Sequence, residues 1–171
     1  SRLYHNKITY VIESVAGYDV PGEYERIRDR GIDMVTVAEA GFPEKLKSIP
    51  DSPYVLYYMG GLPVAGQKTV AVIGARDCTE YGRYMAGQFG TQLARAGVQV
   101  ISGMARGIDG ISQQAALRAG GYSMGVLGCG VDICYPRENK ELYDALTKQG
   151  GICSEYPPGV GPRAVLFPPR N

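Results

Sequence analysis

The chain has 171 residues, 44% hydrophobic and 20% charged, an ordinary globular balance that excludes general disorder. Its 18 basic and 17 acidic side chains leave a net charge of +1, so only local clustering can mark a nucleic-acid or membrane partner. No apolar run approaches the ~20 residues that span a bilayer and the opening SRLYHNKITY is not a signal peptide, so the expectation is a soluble, cytoplasmic protein of one domain with a small appendage.

In chain order, Lys7–Gly17 and Gly22–Arg30 read as short helices separated by the Pro21-Gly22 break. Met34–Val37 reads as a short strand, Pro43–Ile49 as a helical turn and Val55–Met59 as another strand. Residues 1–50 are assigned to a small helical appendage, in part SAM-like, and residues 51–171 to a Rossmann-like core. Tyr54–Met59 is expected to add a strand at the edge of the main sheet. From Thr69 onward a regular beat sets in. Strand-like Thr69–Ile73, Val98–Ser102, Tyr122–Leu127 and Gly151–Glu155 alternate with helix-like Tyr81–Ala96, Asp109–Ala119 and Asn139–Gln149. Gly97, Gly120 and Gly150 stand where a left-handed residue would close each helix, and Asp109 and Asn139 where a side chain would cap one. This alternation predicts βαβ units and a doubly wound, parallel α/β sheet. Its first strand, nearly all apolar, is expected to be covered on both faces.

Cys78, Cys129, Cys134 and Cys153 contain no C-x-x-C pair, and the only histidine is His5. Neither a zinc site nor a nucleophile activated by histidine is expected from that set. Free thiols in a reducing compartment fit better.

Glycine makes up 24 of the 171 residues, about twice its average usage of ~7%. Many of these glycines fall at the carboxyl ends of the predicted strands, where open α/β sheets bind their ligands. Four loops there share one rim on this reading: Gly74–Arg76, Gly103–Asp109, Gly128–Asp132 and Tyr156–Asn171. Their glycines would let an anion approach the backbone, with unpaired amides as donors; tight turns needing positive φ are the plainer explanation. Arg76, Arg106, Arg137, Arg163 and Arg170 fall beside this rim, and Asp132, Glu138 and Glu155 offset them only in part. Arginine forks suit phosphate. Phe167 is expected to stack on bases, while Tyr135 and Tyr156 are expected to wedge their loops against the sheet. Neither G-x-G-x-x-G nor G-x-x-x-x-G-K-[ST] is present, so NAD, FAD and a P-loop nucleotide are disfavoured and no cofactor is expected.

The runs GAR and YGR within Gly74–Arg83, ISGMARGIDGISQQAAL (101–117), GVLGCGVDICYPREN (125–139) and SEYPPGVGPRAVLFPPRN (154–171) closely resemble the DNA-processing protein A, or Smf, family of bacterial recombination mediators. FPEKLKSIPDSPYVLYYMGG (42–61) resembles that family's approach to its Rossmann core. The resemblance covers about residues 32–171. It implies single-stranded DNA binding, loading of the RecA recombinase during natural transformation, and a homodimer in the full-length protein; with no spanning apolar run, no membrane partner is expected. Carried over, the DNA- and phosphate-facing positions are Gly74, Arg76, Ser102, Gly103, Arg106, Gly107, Asp109, Gly128, Gly130, Arg163, Phe167, Arg170 and Asn171. Two departures stand out. Family members often have histidine where this chain has Gln113, and the chain stops inside the familiar F-P-x-R-N-R stretch, so a longer protein with further core elements is expected.

Two other functions fit the same rim. A phosphoribohydrolase-like enzyme of this fold would need a P-G-G-x-G-T-x-x-E motif, and Gly128–Asp132 lacks its Thr and Glu. A small-nucleotide sensor would use the phosphate pockets but not the full motif set. A non-catalytic DNA-binding module is the expectation.

Overall fold

The computed structural model describes residues 19–171. The expected helix at Lys7–Gly17, and His5, lie outside the described residues. Backbone contacts divide the chain into residues 1–31 and 32–171. In the first unit, helix α1 spans Val20–Asp29. It starts two residues before the predicted Gly22, because Pro21 occupies its first turn and Asp19 Oδ1 accepts from Gly22 N at 3.0 Å. The Pro-Gly pair therefore opens this helix.

The second unit holds a six-stranded sheet in the order β1-β2-β6-β5-β4-β3. Its strands are β1 (Asp33–Thr36), β2 (Val55–Gly60), β3 (Thr69–Ala71), β4 (Gln99–Ser102), β5 (Ser123–Val126) and β6 (Gly151–Ser154). The helices are α2 (Glu44–Lys47), α3 (Glu80–Arg95), α4 (Ile108–Arg118), α5 (Lys140–Gln149) and α6 (Phe167–Arg170). Strands β3 to β6 pair in parallel, as the alternating pattern predicts, while β1-β2 and β2-β6 are antiparallel. The architecture is the expected Rossmann-like α/β class, with the four parallel strands in consecutive order. Successive helices pack together, α3 on α4 and α4 on α5, as expected where right-handed crossovers carry them to one face.

Three expectations need correction. The boundary at residue 50 falls instead at Gly31/Ile32, because Asp33–Thr36 pairs with Val55–Tyr58 and belongs to the main sheet. Its core cluster of Val35, Phe42 and Leu56 ties these segments together. The strand at Val55–Gly60 is not an edge: it lies between β1 and β6. Among the described residues β1 and β3 are the edge strands, and β3 has Val70 40% exposed, so it is not covered on both faces.

Close packing of α3 on α4 comes from small side chains at helical spacing. Ala86, Gly90 and Ala94 are buried along α3, and a Cβ at Gly90 would fall on the Ser112 carbonyl of α4. Gly97 and Gly120 take the left-handed conformation expected after α3 and α4, at φ +70° and +79°. Gly150 does not: its φ is −141°, and the chain passes straight into β6 against the Ser123 carbonyl.

Candidate nucleic-acid interface

Parallel pairing leaves the carboxyl ends of β3, β4, β5 and β6 on one edge, and their loops meet there. A cleft of about 490 Å³ opens between them, with Arg76, Arg106, Arg137 and Arg170 in its walls and Glu138 as the one lining acid among the described residues. Each arginine comes from a different loop or turn. Arg76, Arg106 and Arg137 are exposed; Arg106 Nη1 lies 3.9 Å from Glu138 Oε1. Gly103, Gly128 and Phe167 complete the set of predicted residues that line the cleft.

Several of the amides that the glycine pattern offers to a phosphate are tied internally. Gly74 N and Gly103 N donate to Asp109 Oδ1 and Oδ2, each at 3.2 Å. Ile108 N donates to Ala75 O at 3.2 Å, Gly110 N to Ala105 O at 3.0 Å and Gly130 N to Val160 O at 2.8 Å. Gly107 makes the first of these possible. At φ +75° it is the N-cap of α4, and a Cβ there would meet the carbonyls of Ala75 and Arg76. Asp109 is therefore not the cap. It is 6% exposed and joins the loop carrying Arg76 to the loop carrying Arg106.

Two residues hold the same loops from below. Met104 is buried in the left-handed region at φ +55°. Gln113 Oε1 accepts from Met104 N at 3.1 Å, and Gln113 Nε2 donates to Met124 O at 2.9 Å. Asn139 is not a side-chain cap for α5 either; its Nδ2 donates to Met104 O at 2.9 Å and Ala105 O at 3.1 Å. The signal for Gln113 was its spacing, four residues after Asp109 on the same face of α4. Asn139 carried no comparable mark, since its partners lie 34 and 35 residues away.

The spaces left by glycine are filled by the C-terminal turn. A Cβ at Gly103 would fall on the Arg170 guanidinium, and one at Gly128 would lie 2.7 Å from Phe167 Cδ1. Arg170 Nη1 donates to Val126 O at 2.7 Å and Gly103 O at 3.1 Å, fastening the turn to the ends of β4 and β5. Burial pulls its guanidinium below the ordinary arginine value; Asp109 opposes that effect and Arg76 reinforces it. Tyr156 hydroxyl adds a bond to Leu166 O at 3.1 Å. At the floor, burial pushes the Cys129 thiol up to about 11, with Asp132 acting in the same direction, so it stays protonated at neutral pH.

Several predicted residues stand outside the cleft. Ser102 is buried, its Oγ donating to Val72 O at 2.6 Å. Gly130 packs under the 157–159 loop, and Gly74, Gly107 and Asp109 do not reach the lining. Arg163 and Asn171 are exposed but are not part of its wall. The cleft is thus a cationic site made by side chains, with loop amides as its scaffold.

Residues 33–171 match the family model described as DNA recombination-mediator protein A. The chain belongs to this family. It is 35% identical over 145 residues to the DNA processing protein DprA of Bacillus subtilis, covering 84% of this chain and 49% of that protein. With DprA of Streptococcus pneumoniae it shares 38% identity over 130 residues, covering 76% of this chain and 46% of that one. The chain thus spans about half the length of these relatives or less. An X-ray structure of Streptococcus pneumoniae DprA superposes with a TM-score of 0.76 at 31% identity, covering 93% of this chain and 60% of that one. DNA processing protein A of Helicobacter pylori superposes with a TM-score of 0.71 at 26% identity, covering 81% of this chain and 62% of the other. That structure is described for its single-stranded DNA binding mode.

Proposed function

We propose that this chain binds single-stranded DNA through the arginine cleft, as the DNA-holding part of a mediator that loads a RecA-type recombinase. One observation carries the DNA reading: three exposed arginines from three separate loops converge on one cleft with a single acid in its described lining. A backbone of regularly spaced phosphates matches several separate cations better than one small anion does. Membership of the mediator family and the Helicobacter pylori DNA-binding relative support this reading. RecA loading and a homodimer rest on the family alone, and a cytoplasmic setting on the sequence reading. The protein acts here as a binder without turnover, since Gly128–Asp132 lacks the Thr and Glu of the phosphoribohydrolase motif.

The test is a titration of labelled single- and double-stranded oligonucleotides at two salt concentrations. With three exposed arginines on phosphates, log K against log salt is expected to fall with a slope of about −2, at ~0.7 per phosphate for single strands. Duplex is expected to bind more weakly. Equal affinity for a mononucleotide and a long strand, with no salt dependence, would overturn the reading.

Glu138 supplies a finer check. An exposed pair such as Arg106–Glu138 is worth at most about 1 kcal/mol, and a phosphate reaching Arg106 must displace the carboxylate. Glu138→Gln is therefore expected to tighten DNA binding by up to about fivefold at low salt, an effect that screening removes at high salt. Weaker, base-dependent binding by this variant would instead make Glu138 an acceptor for base amino groups.

A further inference from the structure

We propose that Tyr135 is the residue on which an unpaired base stacks at this cleft, with Phe167 as the backing that fixes its ring; the inference rests on the DNA-binding reading above. The two rings lie 5.6 Å apart between centroids, tilted by 36°. Their surroundings differ. Phe167 is wedged in the notch at Gly128, and the Arg170 guanidinium carbon lies 5.8 Å from the centre of its ring. Arg170 is itself held on Gly103 O and Val126 O, so Phe167, although it lines the cleft, is half-buried with protein packed against it. Tyr135 lines the cleft and is 41% exposed.

The loop beneath Tyr135 is braced at both ends. Ile133 N donates to Gly130 O at 3.0 Å and Asn139 N to Pro136 O at 3.1 Å. Arg106 and Arg137 share the cleft wall with the ring. A rigid aromatic surface flanked by cations suits a planar base whose own phosphates lie to either side. It accepts any base, because every base offers a π face. In duplex DNA those faces are covered by neighbouring pairs, so the same ring favours single strands.

The chain contains no tryptophan, so Tyr135→Trp places a single indole reporter at the site. Binding is followed by the anisotropy of a labelled thymidine oligonucleotide and by indole emission, alongside an abasic strand of equal length. The thymidine strand is expected to bind and quench the indole, and the abasic strand to bind without quenching. Tyr135→Ala is expected to lose about 5- to 150-fold in affinity for the thymidine strand. Its affinity for the abasic strand and its salt slope should stay unchanged, while Tyr135→Phe keeps wild-type binding. Bound thymidine strand with no change in emission would overturn the assignment of Tyr135 and leave the DNA-binding reading standing. Failure of the wild-type chain to bind either strand would overturn both. The tryptophan reporter tests the assignment even where the alanine variant does not fold.

Discussion

Replacing Arg76 and Arg106 together with alanine is expected to weaken single-stranded DNA binding by about 25-fold at 0.1 M salt, from ~0.7 counterions released per phosphate neutralised. The two side chains stand on separate loops, after β3 and after β4, and both are exposed in the same cleft. Removing one arginine from its phosphate takes about 0.7 off the salt slope, so the double variant should bind with a slope about 1.4 shallower. The weakening should be alike for all sequences, since phosphate contacts carry no base information. Stability should hardly change, because both side chains are exposed and the Arg106–Glu138 pair is long and open to solvent. Titrations of oligothymidine and oligoadenine strands across a salt series check all of this. An unchanged slope would mean that phosphates do not meet these arginines.

Asp109→Ala is expected to cost about 1–3 kcal/mol of stability, the cost of one unsatisfied buried N–H, because it removes the acceptor of two backbone N–H groups that are only partly buried. Gly74 N and Gly103 N are each deprived of a carboxylate oxygen at 3.2 Å, in a region where Asp109 is 6% exposed. DNA affinity should fall as well, because this one side chain joins the loop of Arg76 to the loop of Arg106. Asp109→Asn should fall between wild type and alanine: its amide oxygen still accepts from one backbone N–H, but its NH₂ faces the other donor. Urea denaturation followed by a titration of the folded fraction measures both effects. Abolished binding with undiminished stability would instead make Asp109 a ligand contact.

Both predictions rest on a division of labour that local sequence patterns reveal only in part. Four parallel strands, the helices between them and the rim where their loops meet follow from hydrophobic runs and glycine stops of regular length. Those signals are local, and a parallel sheet then places every strand end on one edge. The arginines of the cleft were legible for the same reason: each sits within a few residues of a strand end or in the loops that follow one.

What the local pattern leaves open is where polar groups and glycines turn once the loops touch. Asp109 reads as a cap and is a tie between two loops; Gly103 and Gly128 read as room for an anion and hold Arg170 and Phe167. Phe167 and Tyr135 carry similar local cues in their loops, and only the notch at Gly128 decides that Phe167 is half-buried while Tyr135 is more exposed. Partners such as Asn139 and Met104, 35 residues apart, or Arg170 and Gly103, 67 apart, are matched by the fold. By itself the sequence determined the class of fold, the rim where the loops meet and the arginines gathered there. Tertiary structure decided which rim residues face outward, because a buried amide or guanidinium must find a partner wherever the folded chain supplies one.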